Sequence, residues 1–206
     1  RRGVHELFEG LGALSDLDTL ALTTNGSHLA DSAHALRDAG VKAINISLDS
    51  LQAGRFKTIT RIGDLDTVLQ GIDRAVECGF DRIRLNAVIL DGLNRDEVVP
   101  LTHYALEKGI HIAFIEEMPL GQVNVGGKPL AYVSSDMLQR ELAEHFSLVP
   151  MTASDTAGPA RDFLIAGSQT QVGFISPHSH NFCAQCNRLR ISAEGRLLMC
   201  LGNEES

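Results

Sequence analysis

The sequence predicts an α/β protein: an incomplete parallel barrel of βα units over residues 1–118, followed by a smaller α+β extension over 119–206. Three observations predict it. Helical stretches and short apolar strands alternate through the first half. Strands begin near 19, 43, 82 and 110, roughly the 25–40-residue repeat of parallel strands joined by right-handed helical crossovers. After Pro119 the composition changes: Gly121, Gly126, Gly127 and Pro129 mark a loop, and short apolar runs separated by turns follow it, the pattern of antiparallel strands.

Taken in order, Leu7, Phe8, Leu11 and Leu14 share one face of a helix over His5–Leu14. Thr19–Thr23 is a strand running into Thr23-Thr24-Asn25-Gly26, and Leu29–Ala39 is a helix that Gly40 closes. A second strand, Ala43–Leu48, precedes a short helix from Leu51 to about Ile59. The strongest pattern is Leu65–Cys78, where Leu65, Val68, Leu69, Ile72, Ala75 and Val76 form one apolar stripe ending at Gly79. Arg82–Ile89 is the third strand, Asp96 is expected to cap a helix reaching Lys108, and Ile110–Ile115 is the fourth strand. In the extension, Ser134 or Ser135 caps a helix to about His145. The runs Asp162–Ile165, Gln171–Ile175, Arg190–Ser192 and Arg196–Met199 are expected to pair antiparallel.

Composition narrows the function classes. With 44% hydrophobic and 21% charged residues the chain can bury a full core without disulfides. A net charge of −8 opposes broad nucleic-acid or anionic-membrane binding. No apolar run is long enough to span a bilayer, and Arg1-Arg2-Gly3 leads into an amphipathic helix rather than a signal peptide. Clustered thiols fit a reducing, cytoplasmic setting.

Chemistry concentrates at strand ends and in one cysteine cluster. Ligands of parallel α/β units bind at the C-terminal ends of strands. There the chain places Thr23, Thr24 and Asn25, then Asn45, Ser47 and Asp49, then Arg84 and Asn86, then Glu116, Glu117 and Met118. Cys183, Cys186 and Cys200 have the spacing C-x2-C-x13-C, which suits a tetrahedral zinc or a four-iron cluster, each with one position left over. His178 or His180 filling that position would make a closed zinc site; otherwise a ligand can take it. Arg188 and Arg190, two apart on a predicted strand, share a face and suit phosphate oxygens. Cys78, on a helix beside Gly79, reads as a packed core residue.

The run Phe182-Cys-x2-Cys-Asn-Arg-Leu-Arg, then Ala193-Glu-Gly195 and Cys200-Leu, resembles the C-terminal signature of the GTP 3′,8-cyclase family of radical S-adenosylmethionine enzymes, which open molybdenum cofactor biosynthesis. Thr-Thr-Asn-Gly at 23–26, Asn45-x-Ser47-x-Asp49-Ser50-Leu51, Phe114-Ile-Glu-x-Met-Pro119 and Ile175-Ser-Pro177 match in the same order. The resemblance implies a radical S-adenosylmethionine barrel, two 4Fe–4S clusters and S-adenosylmethionine as cofactors. It implies that Cys183, Cys186 and Cys200 ligate the second cluster and that Thr23, Arg84, Arg188, Leu189 and Arg190 contact GTP. Ser47 and Met118 would contact S-adenosylmethionine, and His178 and His180 would be bystanders. The implied reaction is hydrogen abstraction from the GTP ribose followed by bonding of C3′ to guanine C8. Cyclic pyranopterin monophosphate synthase would take the product, and a homodimer is compatible. Read on residues alone, a radical enzyme with another substrate or a zinc-bearing α/β binding module stays open beside it.

The chain departs from the family pattern in five places. It has no C-x3-C-x2-C segment and no Gly-Gly-Glu-Pro segment, and its end lacks the family's glycine-ended tail. It therefore resembles an internal piece that would not start radical chemistry alone. Arg84 stands where the family usually has a lysine, and Ala113 where an arginine usually precedes Phe-Ile-Glu. Both changes predict altered phosphate binding.

Overall fold

The computed structural model describes residues 3–117, 124–125, 128–129, 132–152, 159–179 and 188–198. Helix α1 (Val4–Gly12) leads into β1 (Leu20–Thr24), α2 (Leu29–Asp38), β2 (Val41–Ser47), α3 (Ala53–Thr60), α4 (Leu65–Cys78), β3 (Arg82–Val88), α5 (Val98–Glu107) and β4 (His111–Ile115). A small hairpin, β5 (Asn124–Val125) and β6 (Lys128–Pro129), precedes α6 (Ser135–Ala143). The strands β7 (Leu148–Pro150), β8 (Ala160–Ile165), β9 (Gln171–Ile175), β10 (Arg190–Ile191) and β11 (Leu197–Leu198) complete the described elements.

The main sheet has seven strands in the order β1-β2-β3-β4-β9-β8-β7 and is not closed into a ring among the described residues. The first four strands are parallel, as βα alternation requires. The antiparallel expectation for the extension holds for β8 with β9 and β10 with β11, and β7, which is not among the predicted strands, also pairs antiparallel with β8. It fails for β9 against β4, which pair in parallel. The strand Gln171–Ile175 therefore joins the barrel sheet as its fifth parallel member, and β8 and β7 continue the same sheet. The reason is burial. Val172 and Phe174 extend the apolar row of Ile112 and Phe114, and all four are fully buried.

Strand alternation divides the sheet into two faces. Ile44, Ile46, Ile83, Leu85, Ala87, Ile112, Phe114, Val172 and Phe174 belong to the hydrophobic core. Helix α4 shows why the core holds: Val68, Ile72, Ala75 and Cys78 are buried along one side. The Asp64 carboxylate accepts from Thr67 N at 2.8 Å at its start, and Gly79 ends it at φ +67°, a conformation glycine adopts without strain. Cys78 is a free, buried thiol, and burial is the first cause holding its pKa above the ordinary value.

The helix entering α5 differs from expectation. Asp96 does not cap it. The chain passes through a 3₁₀ turn, Arg95–Glu97, and Asp96 pairs with Arg55 Nη1 at 2.7 Å. Glu97, 2% exposed, accepts from Ser50 Oγ, Leu51 N and Arg55 Nη1, at 2.5, 2.5 and 2.6 Å. Asp49 is also structural: its carboxylate accepts from Val88 N at 2.8 Å. Burial raises its pKa and that hydrogen bond works against the rise. The segment after β2 is thus tied to β3 and α5, which fixes the end of β2 on which Ser47 sits. No helix among the described residues is long and apolar enough to cross a membrane.

Candidate functional site

The face of the sheet opposite the core carries a polar row set by register. Thr23 pairs with Asn45, Asn45 with Arg84, and Arg84 with His111. One pleat further on, Ser47 pairs with Asn86, Asn86 with Ala113, Ala113 with Gly173, and Gly173 with Asp162. Thr23, Asn45, Arg84, Asn86 and Asp162 of these rows line a cavity of about 720 Å³, together with Arg82 and Arg188. That volume falls in the range of small-molecule sites, roughly 300–1,000 Å³. Thr23, Arg84 and Arg188 come from β1, β3 and the segment before β10, far apart in sequence.

The cavity is positive and only partly satisfied. Arg84, 7% exposed, donates from Nη2 to Asp162 Oδ1 at 3.0 Å and to Gln171 Oε1 at 3.5 Å. Arg84 Nε and Asn86 Oδ1 are buried without a hydrogen-bond partner among the described residues. A buried unpaired polar group costs about 1–3 kcal/mol, so a ligand offering an acceptor to one and a donor to the other would relieve both. Burial, then the neighbouring Arg84, lower the pKa of Arg82. His111 accepts from Gln171 N at Nδ1, 3.1 Å, and is neutral: burial first, then Arg84 and Arg82, bring its pKa to about 4. The Asn45 amide donates to Thr23 Oγ1 at 3.4 Å, leaving the exposed Thr23 facing the cavity.

At the C-terminal end of β4 the chemistry is opposite. Glu116, 1% exposed, accepts from Ser135 N at 2.7 Å, Ser179 N at 2.9 Å, His178 N at 3.2 Å and Ser179 Oγ at 2.6 Å. Burial pushes its pKa up, but hydrogen bonds from Ser179 and Ser135 outweigh it and bring the value to about 2. Glu116 therefore joins β4 to the N-terminus of α6 and to the segment that runs on to Cys183. The His178 ring packs edge-on against Tyr132, with centroids 4.7 Å apart.

The predicted site residues separate accordingly. Thr23, Arg84 and Arg188 line one cavity. Ser47 is half-buried at the adjoining strand end. Leu189 is 63% exposed and Arg190 is half-buried on β10, which pairs with β11 in the hairpin. Met118, Cys183, Cys186, Cys200 and His180 lie outside the described residues. Thr24 and Asn25 serve the turn after β1, their side chains accepting from Gly26 N and Ser27 N at 3.1 Å each. Asp162 and Gln171 were not legible as site residues from motifs. Their signal was alternation: Asp162 has the opposite parity to buried Phe163 and Ile165, so it faces the cavity.

Residues 3–105 match the radical SAM superfamily model. The chain belongs to the radical SAM superfamily. Within that superfamily, residues 110–206 match the model described as Molybdenum Cofactor Synthesis C. A protein of Saccharophagus degradans named GTP 3′,8-cyclase is 50% identical over 206 residues, all of this chain and 62% of the relative. Proteins of the same name from Pseudomonas entomophila and Marinobacter nauticus are 52% and 48% identical, again over the whole chain and 62% of their own length. The chain thus spans about three-fifths of the curated relatives it matches.

Proposed function

We propose that this radical SAM chain is part of a GTP 3′,8-cyclase, which joins ribose C3′ of GTP to guanine C8 early in molybdenum cofactor biosynthesis. Residues 1–118 act as the barrel part and 119–206 as the extension that carries the second iron–sulfur site. One observation supports this most: Thr23, Arg84 and Arg188 are brought to one polar cavity at the barrel strands. Arginine guanidinium groups bind phosphate oxygens in forked, charge-assisted geometry, and two of them lining one cavity suit a triphosphate.

The donor chemistry of the extension fits an iron–sulfur cluster. Cys183, Cys186 and Cys200 supply three thiolates, one short of a full set. These three would hold the second 4Fe–4S cluster and leave one iron for the substrate base. Ser47 and Met118 would hold S-adenosylmethionine. When bound, these cofactors and the cluster that cleaves S-adenosylmethionine supply the electron and the hydrogen-abstracting radical. The chain's own residues bind and orient. Arg84 and Arg188 fix the phosphates, the Thr23 hydroxyl donates to the nucleoside and the Asn86 side-chain carbonyl accepts from it, and Glu116 holds residues 178 and 179 just ahead of Cys183. Leu189 and Arg190 would flank Arg188 against the nucleotide. The product would pass to cyclic pyranopterin monophosphate synthase in the cytoplasm, with a homodimer as the working form.

Anaerobic reconstitution of the whole protein tests the reading. GTP should be consumed with formation of the cyclised nucleotide, and Cys183→Ala, Cys186→Ala and Cys200→Ala should each abolish product and lower bound iron by about four per chain. A colourless protein holding one zinc, or turnover of another substrate with GTP untouched, would contradict it.

A further inference from the structure

We propose that Asp162 is a resident counter-anion for Arg84, a latch that the phosphate chain of the incoming ligand displaces. The inference rests on the nucleotide reading of the cavity and adds a residue to it.

Asp162 and Arg84 lie on β8 and β3, with β9 and β4 between them. Two small residues let them meet. Gly173 is the registered partner of Asp162, and Ala113 is the registered partner of Gly173. A Cβ on Gly173 would stand 2.5 Å from Asp162 Oδ1 and 3.5 Å from the Ala113 Cβ. The carboxylate therefore rests over the bare glycine and reaches Arg84 Nη2 at 3.0 Å. A larger side chain at 173 would occupy this path.

The pair is incomplete in a way that favours exchange. Asp162 is 22% exposed at its side chain while Arg84 is 9% exposed, so the anion is wet and the cation is not. Arg84 Nε has no partner among the described residues. Arg82 and Arg188 line the same cavity, so the local excess of charge is positive even with Asp162 present. A phosphate oxygen can take the place of the single Asp162 contact and also engage Nε, which a carboxylate bound through Nη2 alone does not do. Several phosphates can engage Arg188 at the same time. In the empty cavity Asp162 neutralises a buried guanidinium, which would otherwise be costly. In the loaded cavity the same carboxylate repels the phosphates, and its removal should tighten binding.

Calorimetry on the reconstituted full-length protein tests this with two probes, GTP and inorganic tripolyphosphate. Asp162→Asn and Asp162→Ser should each bind tripolyphosphate about tenfold more tightly at low salt, the gain shrinking as salt screens it. Their melting temperatures are measured in parallel, and two variants guard against one that fails to fold. Unchanged or weaker tripolyphosphate binding in folded variants would overturn the latch and make Asp162 a fixed support for Arg84. If tripolyphosphate tightens but GTP binds neither parent nor variants, the latch stands and the nucleotide reading falls. If GTP binding depends on Arg84 but is not improved at Asp162, the nucleotide reading stands and the latch falls.

Discussion

Two buried charges, Glu116 just beyond the end of β4 and Arg84 on the neighbouring β3, are treated in opposite ways. Glu116 receives hydrogen bonds from three backbone amides and one hydroxyl, which hold its carboxylate ionised at a pKa of about 2. Among the described residues, Arg84 has one ion pair to a partly hydrated acid, a long contact to Gln171 and no partner at Nε. The first is a finished interaction that joins β4, α6 and the segment ahead of the cysteines. The second is unfinished and opens on a cavity. The difference separates a structural charge from a binding charge without reference to any ligand: saturation marks support, and unmet hydrogen bonding beside open space marks recognition.

The largest expected effect lies at the saturated charge. Glu116→Gln replaces an acceptor of four hydrogen bonds by an amide with a donor facing donors, and should cost about 3 kcal/mol in urea unfolding. A loss below about 1 kcal/mol would break the distinction. Gly173→Ala comes next. Its Cβ meets the Asp162 carboxylate over sheet backbone, and the expected cost is about 1–3 kcal/mol, together with a change in anion affinity that Glu116→Gln would not share.

The pH dependence of stability gives a smaller effect with a defined sign. His111 has a folded pKa of about 4, below its ordinary 6.5, so the folded state prefers the neutral ring. Its contribution is full above about pH 6.5 and is lost as pH falls toward 4. Glu116, depressed from 4.5 to about 2, loses its contribution only below pH 4.5. Urea unfolding at stepped pH should therefore show a decline between pH 6.5 and 4.5 that His111→Asn removes and Glu116→Gln leaves in place. The smallest effect is at Tyr104, whose hydroxyl is also buried without a hydrogen-bond partner among the described residues but lies on α5, away from the cavity, with burial raising its pKa to about 12. Tyr104→Phe should change stability by less than about 1 kcal/mol and ligand binding not at all. Altered binding would show that unmet hydrogen bonding alone, without open space, marks a site.

Much of the fold was legible in the sequence because its signals are local. The stripe over Leu65–Cys78 and the glycine after it give that helix to the residue, and βα alternation gives four parallel strands. The parallel pairing of β9 was not legible. Gln171–Ile175 follows an antiparallel partner closely, while its other partner, β4, lies some 55–60 residues upstream, and only burial of Val172 and Phe174 beside Ile112 and Phe114 decides between them. Asp96 shows the converse failure, a good capping residue taken by Arg55 from another helix. At the site, strand-end polarity identified Thr23, Asn45, Arg84 and Asn86, but it also drew in Asp49 and Glu116, whose backbone partners lie on other elements. Asp162 carries no motif, and only register across four strands brings it to Arg84.

The central claim is that the cavity between Thr23, Arg84 and Arg188 binds the triphosphate. Calorimetric titration of GTP into the reconstituted full-length protein, its Arg84→Met and Arg188→Met variants and the double variant tests it most directly. Each single change should weaken GTP at least tenfold, with melting temperature altered far less than by Glu116→Gln, and the double change should abolish measurable binding. GTP affinity unchanged in both single variants, with the proteins folded, would contradict the account.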